Sequence, residues 1–459
     1  MSEARITFCG GSGTVTGANF LFDTGDAKYL IDCGAIEREH VCDTANFSAF
    51  PYDVSSIDAL FVTHAHADHI GRIPRLVKDG YRGVIYSTAA TKDLAALMFE
   101  DALGIMHSDA QLHGCDVLYE QEDIDKALSL WQGRAYDEPF SIGEASVTLL
   151  DAGHILGSSM VRFTRLPAQA GSNRCITFTG DLGNSPEPLL NDTESPAGAN
   201  YIVMESVYGD RVHEGRSERH EHLRQAIEAT RDQRGTLLIP TFSIERTQIL
   251  LFELNEFIER DGMAPIPVYL DAPLAIQVTN IFHTYHELMN PNIREHFTEG
   301  DDPFFFKGLT RTPLVAESRA IHEAPNPKVV IAGAGMSGGG RIREHEKHYL
   351  PDKNATILFV GYQAPGTLGR RIEDGEKHVD IDGERVQIRA HVAMLTGYSG
   401  HKDRDGLLSF VEGAGENLER VFVTMGEPRA SMFLAQRIRD FLGVDAIVPK
   451  AGETVTISW

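Results

Sequence analysis

The run FVTHAHADHIG places His64, His66, Asp68 and His69 within six residues, directly after an apolar stretch. Imidazole nitrogens and carboxylate oxygens are the donors that zinc and its first-row neighbours accept. Side chains alternate along an extended strand-to-loop segment, so His64 and His66 point the same way and can clamp one ion. Asp68 and His69 lie past the turn and can face a second. Four such groups at one place are costly without a partner. That weighs against a histidine-rich surface loop that binds nothing.

Such groups need a rigid frame. ARITFCGG, NFLFDTG and KYLIDCGA are short β-branched or aromatic runs cut by Gly and Asp, and predict strands over the first 60 residues. IDALFV predicts the strand that feeds the histidine loop. GRIPRLVKDG reads as a helix stopped at Gly80, GVIYST as a buried strand and AATKDLAALMFEDALGIMHSDA as a long helix. SVTLLDAGH, SSMVRFTRL and CITFTGDLG are further strands, with polar PAQAGSNR as a hairpin loop. After YIVMESVYGDR the character changes. RSERHEHLRQAIEATRDQRG is a polar amphipathic helix, and TLLIP, PVYLD, KVVIAGAG and ATILFVGYQ are strands ending in loops with Gly, Pro or Asp. That alternation predicts a parallel-sheet module. From Arg389 the chain returns to strands and one helix. The expected layout is an α/β outer domain, residues 1–207 and 389–459, with a module at 208–388 inserted into it.

The bulk numbers narrow the chemistry. Of 459 residues, 42 are Lys or Arg and 66 are Asp or Glu, a net charge of −24. This excludes a broad basic face that grips polyanions, but not a local groove around a cationic metal centre. Binding of nucleic acid outside that groove is expected to be weak and salt-sensitive. No run approaches the ~20 apolar residues that span a bilayer, and MSEARITFCGG has no secretory pattern, so no membrane partner is expected. Five cysteines, an odd number without a CxxC pair, fit a reduced cytoplasm better than a disulfide scaffold. GAGMSGGGR is glycine-rich but lacks the GxGxxG register of a dinucleotide site.

HAHADH matches the HxHxDH signature of the metallo-β-lactamase superfamily at every fixed position, and the chain resembles that superfamily at three further places. LIDCGA supplies an aspartate before the loop, Asp32; LLDAGHILGSS supplies His154; ITFTGDLG supplies Asp181. The resemblance implies an αββα sandwich with His64, His66 and His154 on one metal, Asp68 and His69 on a second, Asp181 bridging and Asp32 orienting the loop. It implies one or two Zn²⁺ ions, with Mn²⁺ as an alternative. Two such ions lower the pKa of a shared water and neutralise charge on the attacked group, so the reaction is hydrolysis.

The inserted module selects the substrate. VMESVYGDR, with Glu205, resembles the first signature of the β-CASP nucleases, and TGYSGHKD, with His401, resembles their second. IPTFSIERTQ and AGMSGGG also resemble sequence of that group, and GYQAPGTLGRR resembles a run common in its RNA-cleaving branch. That branch includes bacterial and archaeal ribonucleases and the endonuclease subunit that cuts messenger RNA precursors for polyadenylation. The fold implied is a metallo-β-lactamase sandwich with an inserted β-CASP domain. The activity implied is metal-dependent hydrolysis of single-stranded RNA. A His–carboxylate pair can protonate the departing ribose oxygen, with His401 as general acid and Glu205 holding it. A strand-end carboxylate can also serve structure alone. Together with Asp32, Asp68 and Asp181, these two form the expected catalytic set. Ser337, Gly338 and Gly339, and in a second loop Gly366, Thr367 and Arg370, are candidate phosphate contacts or plain tight turns. Ser399 is grouped with them and is also a candidate cap for the following helix.

One position departs from the pattern. In VFVTMGEP, Met425 stands where the family's third motif carries a metal-binding histidine. A thioether is a poor zinc ligand, so the second ion loses a donor unless His378 or His391 replaces it. The alternative is therefore an RNA-binding or assembly subunit with weakened catalysis. A DNA nuclease and a small-molecule hydrolase are more distant alternatives, and a homodimer stays open.

Overall fold

The computed structural model describes residues 3–36, 42–166, 174–213, 215–364 and 366–459. The expected hairpin loop PAQAGSNR lies, apart from Arg174, outside these residues. The described chain forms two compact units, residues 1–212 with 400–459, and residues 213–399.

The first unit holds two seven-stranded sheets. One runs, in spatial order, Thr454–Ser458, Glu3–Gly10, Asn19–Asp23, Lys28–Ile31, Ala59–Phe61, Val84–Thr88 and Trp131–Arg134. The other runs Asp445–Ile447, Arg420–Val423, Tyr201–Met204, Cys175–Phe178, Ser159–Arg165, Ala145–Asp151 and Phe140–Ile142. Period-two alternation assigns their faces. In Tyr201–Met204, Tyr201 and Val203 enter the core between the sheets, whereas Ile202 and Met204 face Leu407, Phe410, Leu434 and Ile438 of the covering helices. Aromatic rings fill the inter-sheet core: Phe163 lies with its centroid 5.3 Å from both Phe22 and Tyr29 and 5.0 Å from Phe61. Helices Ile73–Lys78, Ala89–His113 and Gln121–Ser129 belong to the side of the first sheet, where Phe99 meets Trp131. The order is helix, sheet, sheet, helix.

Both sheets change from antiparallel to parallel pairing on the way to the site. Lys28–Ile31, Ala59–Phe61 and Val84–Thr88 are parallel neighbours, as are Cys175–Phe178, Tyr201–Met204 and Arg420–Val423. Their carboxyl ends therefore lie at one edge of each sheet, and Asp32, His64, Asp181, Glu205 and Met425 all follow such ends.

The second unit is built on six strands, all paired in parallel: Leu309–Arg311, Val268–Asp271, Lys328–Ala332, Thr236–Pro240, Ala355–Phe359 and His391–Met394. Four of them are the strands expected from sequence. Leu309–Arg311 is short, and two of its three residues are polar, which hid it. His391–Met394 pairs with Thr356–Phe359, so the boundary expected at 388/389 moves to 399/400, and the one at 207/208 moves to 212/213.

A disulfide joins Cys42 to Cys115, against the expectation of reduced cysteines; Cys9, Cys33 and Cys175 are free thiols. The pairing spans 73 residues, and no CxxC spacing announces it.

Inside the second unit the Ser337 hydroxyl bonds the buried Glu346 carboxyl. Burial pushes that carboxyl up to about 8 from the ordinary 4.5, against the hydrogen bond from Ser337 and the charge of Arg343, which lower it. The folded protein thus holds a proton here that the unfolded chain releases near 4.5. Stability is present below that value and is lost as pH rises toward 8. Glu346→Gln keeps the hydrogen bond and needs no proton. Its melting temperature is expected to fall less than the wild type's between pH 5 and 8.5 (roughly the titration window); parallel curves by differential scanning fluorimetry would remove Glu346 as the cause.

Candidate metal centre

The centre is assembled from the strand ends. Asp32 follows Lys28–Ile31 in a left-handed conformation (φ 58°), its N–H extending the ladder to the Phe61 carbonyl at 2.9 Å. Its carboxylate accepts from the Thr63 N–H (2.8 Å), the Thr63 hydroxyl (2.8 Å) and Nδ1 of His69 (2.7 Å). Asp32 is fully buried and so fixes His69 through its outer nitrogen. Thr63 was not singled out from sequence. Its place between the buried strand and His64 is the one signal that could have marked it.

Outer partners also set the tautomer of His154. Its Nδ1 lies 3.0 Å from the Gly400 carbonyl. A carbonyl only accepts, so Nδ1 carries the hydrogen. Burial and then His401 hold the ring's pKa well below 6.5, so the ring is neutral and Nε2 presents a bare lone pair. That lone pair lies 3.3 Å from Nδ1 of His66, and Nε2 of His64 lies 3.0 Å from the same atom. Asp181 Oδ2 is 3.5 Å from Nε2 of both His64 and His154. Burial and His64 likewise keep His66 well below its usual value. Three imidazoles and a carboxylate thus converge within 4.8 Å, as a cation site requires.

Asp68, His69 and Asp181 form a second set within the same span. His69 Nε2 lies 3.3 Å from Asp181 Oδ1 and 3.7 Å from Asp68 Oδ2. Both His69 Nε2 and Asp181 Oδ1 are buried and lack a hydrogen-bond partner among the described residues. Orphaned buried polar atoms of this kind mark a place for an ion. The electrostatics agree. Burial opposes a charged His69, yet Asp181, Asp32 and Asp68 outweigh it and hold its pKa well above 6.5. Burial likewise works against the Asp181 carboxylate, but His69 and His64 keep its pKa well below the usual range. The pocket demands positive charge, which a proton or a metal can supply.

Asp181 belongs to a third group, with Glu205 and His401. His401 Nδ1 lies 3.2 Å from Glu205 Oε1 and 3.8 Å from Asp181 Oδ2. Glu205 Oε1 also accepts the Leu182 N–H at 2.7 Å, so it braces the loop that carries Asp181. Burial opposes the His401 cation, but Glu205 outweighs it and lifts the pKa to about 9. The segment around His401 is docked by backbone: Gly183 bridges His401, and Asn184 N–H donates to Gly400 O at 3.1 Å. Lys402, also missed from sequence, donates from N–H to Leu182 O and from Nζ to Gly183 O. A side chain on Gly183 would collide with the Gly153 carbonyl at 1.7 Å, so this close loop crossing needs glycine.

Met425 follows Arg420–Val423 and is buried in the apolar core between the sheets. Its sulfur packs where a side chain on Gly11 would sit, 2.5 Å from that Cβ position. It also lines a small cavity with His69, Asp32, Glu205 and Phe178. His378 and His391 are exposed on strands of the second unit and belong to none of the three donor groups.

The remaining expected residues lie in the second unit. Ser337 is turned inward; its N–H bonds Ala334 O and its hydroxyl bonds Glu346. Side chains on Gly338, Gly339 or Gly366 would meet nothing within 4 Å, so the backbone there is open. Thr367 caps the helix Leu368–Glu373, accepting from the Arg370 N–H, and Arg370 Nε bonds Asp374 at 2.9 Å. Ser399 is not the helix cap; Asp403 caps Arg404–Glu412 by accepting from the Gly406 N–H.

Three family models match parts of the chain. A family described as the Beta-Casp domain matches residues 247–372. A second, described as the Zn-dependent metallo-hydrolase RNA specificity domain, matches 385–449, and one described as anti-Pycsar protein Apyc1 matches 6–230. The chain is 35% identical over 453 residues to a Thermus thermophilus protein named ribonuclease TTHA0252, across 99% of this chain and 100% of that one. It is 32% identical to transcription termination factor FttA of Methanocaldococcus jannaschii, across 97% of this chain and 70% of the relative. The FttA of Thermococcus kodakarensis is 33% identical over 97% of this chain and 70% of its own length. A crystal structure of a protein of unknown function from Enterococcus faecalis V583 superposes with a TM-score of 0.58 at 13% identity, over 99% of this chain and 100% of that one. That likeness is one of fold alone.

Proposed function

Because this chain belongs to the β-CASP group of metallo-β-lactamase-fold RNA nucleases, we propose a Zn²⁺-dependent ribonuclease acting on single-stranded RNA, with Asp181 at the meeting point of its metal and proton-transfer groups. Metal-dependent hydrolysis of RNA is the activity of the family. What is proposed for this chain is the metal identity, the single-stranded substrate and the role of each residue. The observation that carries the reading is that all three donor groups share Asp181.

His64, His66, His154 and Asp181 would hold one ion, and Asp68, His69 and Asp181 the other; Mn²⁺ suits the same donors. Divalent ions held there would lower the pKa of water so that hydroxide is available near neutrality, and would offset charge on the phosphoryl oxygens. The protein's own residues do the rest. Asp32 holds Nδ1 of His69, leaving Nε2 free to face inward. Gly400 O does the same for His154. His401, protonated through Glu205, donates its proton to the departing ribose oxygen. No described helix is long and apolar enough to cross a membrane.

Incubation of the purified protein with labelled oligoribonucleotide, with Zn²⁺ or Mn²⁺ and with chelator, tests the reading. Cleavage that requires metal is expected; no cleavage under any metal overturns it.

Met425 favours a second reading, an RNA-binding subunit with a weakened second metal site. Metal analysis after dialysis separates the two, since retained metal supports the nuclease and none supports the binder. Met425→His is expected to tighten the second ion and bring the metal-to-protein ratio closer to two. An unchanged ratio means that Asp68, His69 and Asp181 already suffice.

A further inference from the structure

The parallel sheet of the second unit has two places where the chain leaves neighbouring strands in opposite directions. After Val268–Asp271 the chain moves outward to Leu309–Arg311, whereas after its neighbour Lys328–Ala332 it moves the other way, to Ala355–Phe359. After Thr236–Pro240 it moves toward Val268–Asp271, whereas after the neighbouring Ala355–Phe359 it moves to His391–Met394. Diverging connections open a crevice at the carboxyl ends of such strands, and open α/β sheets bind ligands there.

The first crevice is filled. Asp271 sits in it, fully buried, bonded to Arg341 Nη1 (2.6 Å), His345 Nε2 (2.7 Å), Ser318 Oγ (2.5 Å) and Thr312 Oγ1 (2.9 Å). The second presents aromatic rings. Phe242 follows Thr236–Pro240 and Tyr362 follows Ala355–Phe359, and they remain 42% and 50% exposed. Surface exposure of two large rings on adjacent strand ends calls for a partner. Glycines keep the surroundings of Phe242 low: a Cβ on Gly335 would lie 2.7 Å from the ring and one on Gly361 3.8 Å. Buried Gln363 ties these flanking loops together, donating to Gly335 O (3.0 Å) and Gly361 O (3.1 Å). The Thr247 hydroxyl holds the Phe242 carbonyl at 2.7 Å. The rings are therefore carried on braced loops. Arg370 lies in the helix Leu368–Glu373 that follows Tyr362 in the chain, half-buried and paired through Nε with Asp374 at 2.9 Å.

We propose that Phe242 and Tyr362 are a base-stacking subsite for single-stranded RNA, with Arg370, on the helix that follows Tyr362, serving the phosphate backbone. This deepens the ribonuclease reading above and rests on it. Half-exposed flat rings on adjacent strand ends, with a guanidinium on the helix that follows the second, suit unpaired bases joined by a charged backbone. In a chain of net charge −24 a local cation is what an anionic strand requires. Stacking tolerates any base, so the subsite carries affinity without sequence preference.

Steady-state cleavage of a single-stranded oligoribonucleotide by the metal-loaded enzyme tests this. Phe242→Leu and Tyr362→Leu are each expected to raise KM on the order of ten-fold, with kcat within about two-fold, and Phe242→Trp to return KM to the wild-type value. Phe433, equally exposed at 42% but on a helix of the other unit, is the control, and its Leu variant should leave KM in place. In the wild type, RNA carrying 5-iodouridine should photo-crosslink to Phe242 or Tyr362, a readout that does not depend on how any variant folds. Unchanged KM in both Leu variants, a Trp variant as poor as Leu, or crosslinks elsewhere overturn the subsite while RNA cleavage stands. A wild type that leaves RNA intact overturns the ribonuclease reading and the subsite with it.

Discussion

Asp181→Ala is expected to abolish metal retention at both donor sets and to lower RNA cleavage by about 10²–10⁴-fold. The carboxylate is buried and lies 3.3 Å from His69 Nε2 and 3.5 Å from Nε2 of His64 and His154. Bound metal supplies several kcal/mol of transition-state charge stabilisation, and each ~1.4 kcal/mol of it lost is a factor of ten in rate. The loss should be specific. Asp68→Ala touches the His69 set alone, so it is expected to leave the ion of the His64, His66 and His154 set in place, whereas Asp181→Ala empties both. Metal analysis and single-turnover cleavage on the same preparations check this. An Asp181→Ala protein with full metal content and normal cleavage would falsify the shared-donor arrangement.

His401→Ala is expected to lower kcat by about 10²–10⁴-fold, the usual range for a lost general acid, with metal content intact. The proton matters because a ribose oxygen is a poor leaving group. A p-nitrophenyl phosphodiester releases a phenolate that leaves unprotonated, so the deficit should shrink on that substrate. Glu205→Gln separates charge from structure at the same place. The amide oxygen can still accept the Leu182 N–H that Glu205 holds at 2.7 Å, but it cannot stabilise a charged His401. A large kcat loss with unchanged melting temperature assigns Glu205 to His401. A variant indistinguishable from wild type reduces it to a brace for the Asp181 loop. An equal deficit of His401→Ala on both leaving groups would show that His401 does not deliver the proton.

Different parts of the structure were legible for different reasons. The strand ahead of the histidine loop and the four main strands of the second unit are strongly apolar runs, and their burial follows from pattern alone. Leu309–Arg311 is three residues long and mostly exposed, so periodicity has nothing to register. His391–Met394 is half exposed and lies just beyond a turn-rich stretch; only its parallel pairing with Thr356–Phe359 assigns it to the inserted sheet. The Cys42–Cys115 bridge was missed because spacing says nothing about two cysteines brought together across 73 residues. Ser337 and Ser399 were grouped with substrate on residue type. In the folded chain one hydroxyl turns in to Glu346, and the capping role expected of the other belongs to Asp403.

The sequence by itself determined which donors are available and in what order, because His64, His66, Asp68 and His69 are neighbours along six residues of chain and side-chain identity sets ligand chemistry. It also determined that Met425 contributes a thioether rather than an imidazole. The tertiary structure decided which nitrogen of each ring faces inward, since that depends on Asp32 and Gly400 O, outer partners contributed by distant segments. It alone brought His401 to Glu205 across 196 residues. The meeting depends on the parallel register of Cys175–Phe178, Tyr201–Met204 and Arg420–Val423 and on the pairing of His401 with Gly183. Such contacts join segments far apart in the chain, and no local pattern encodes them.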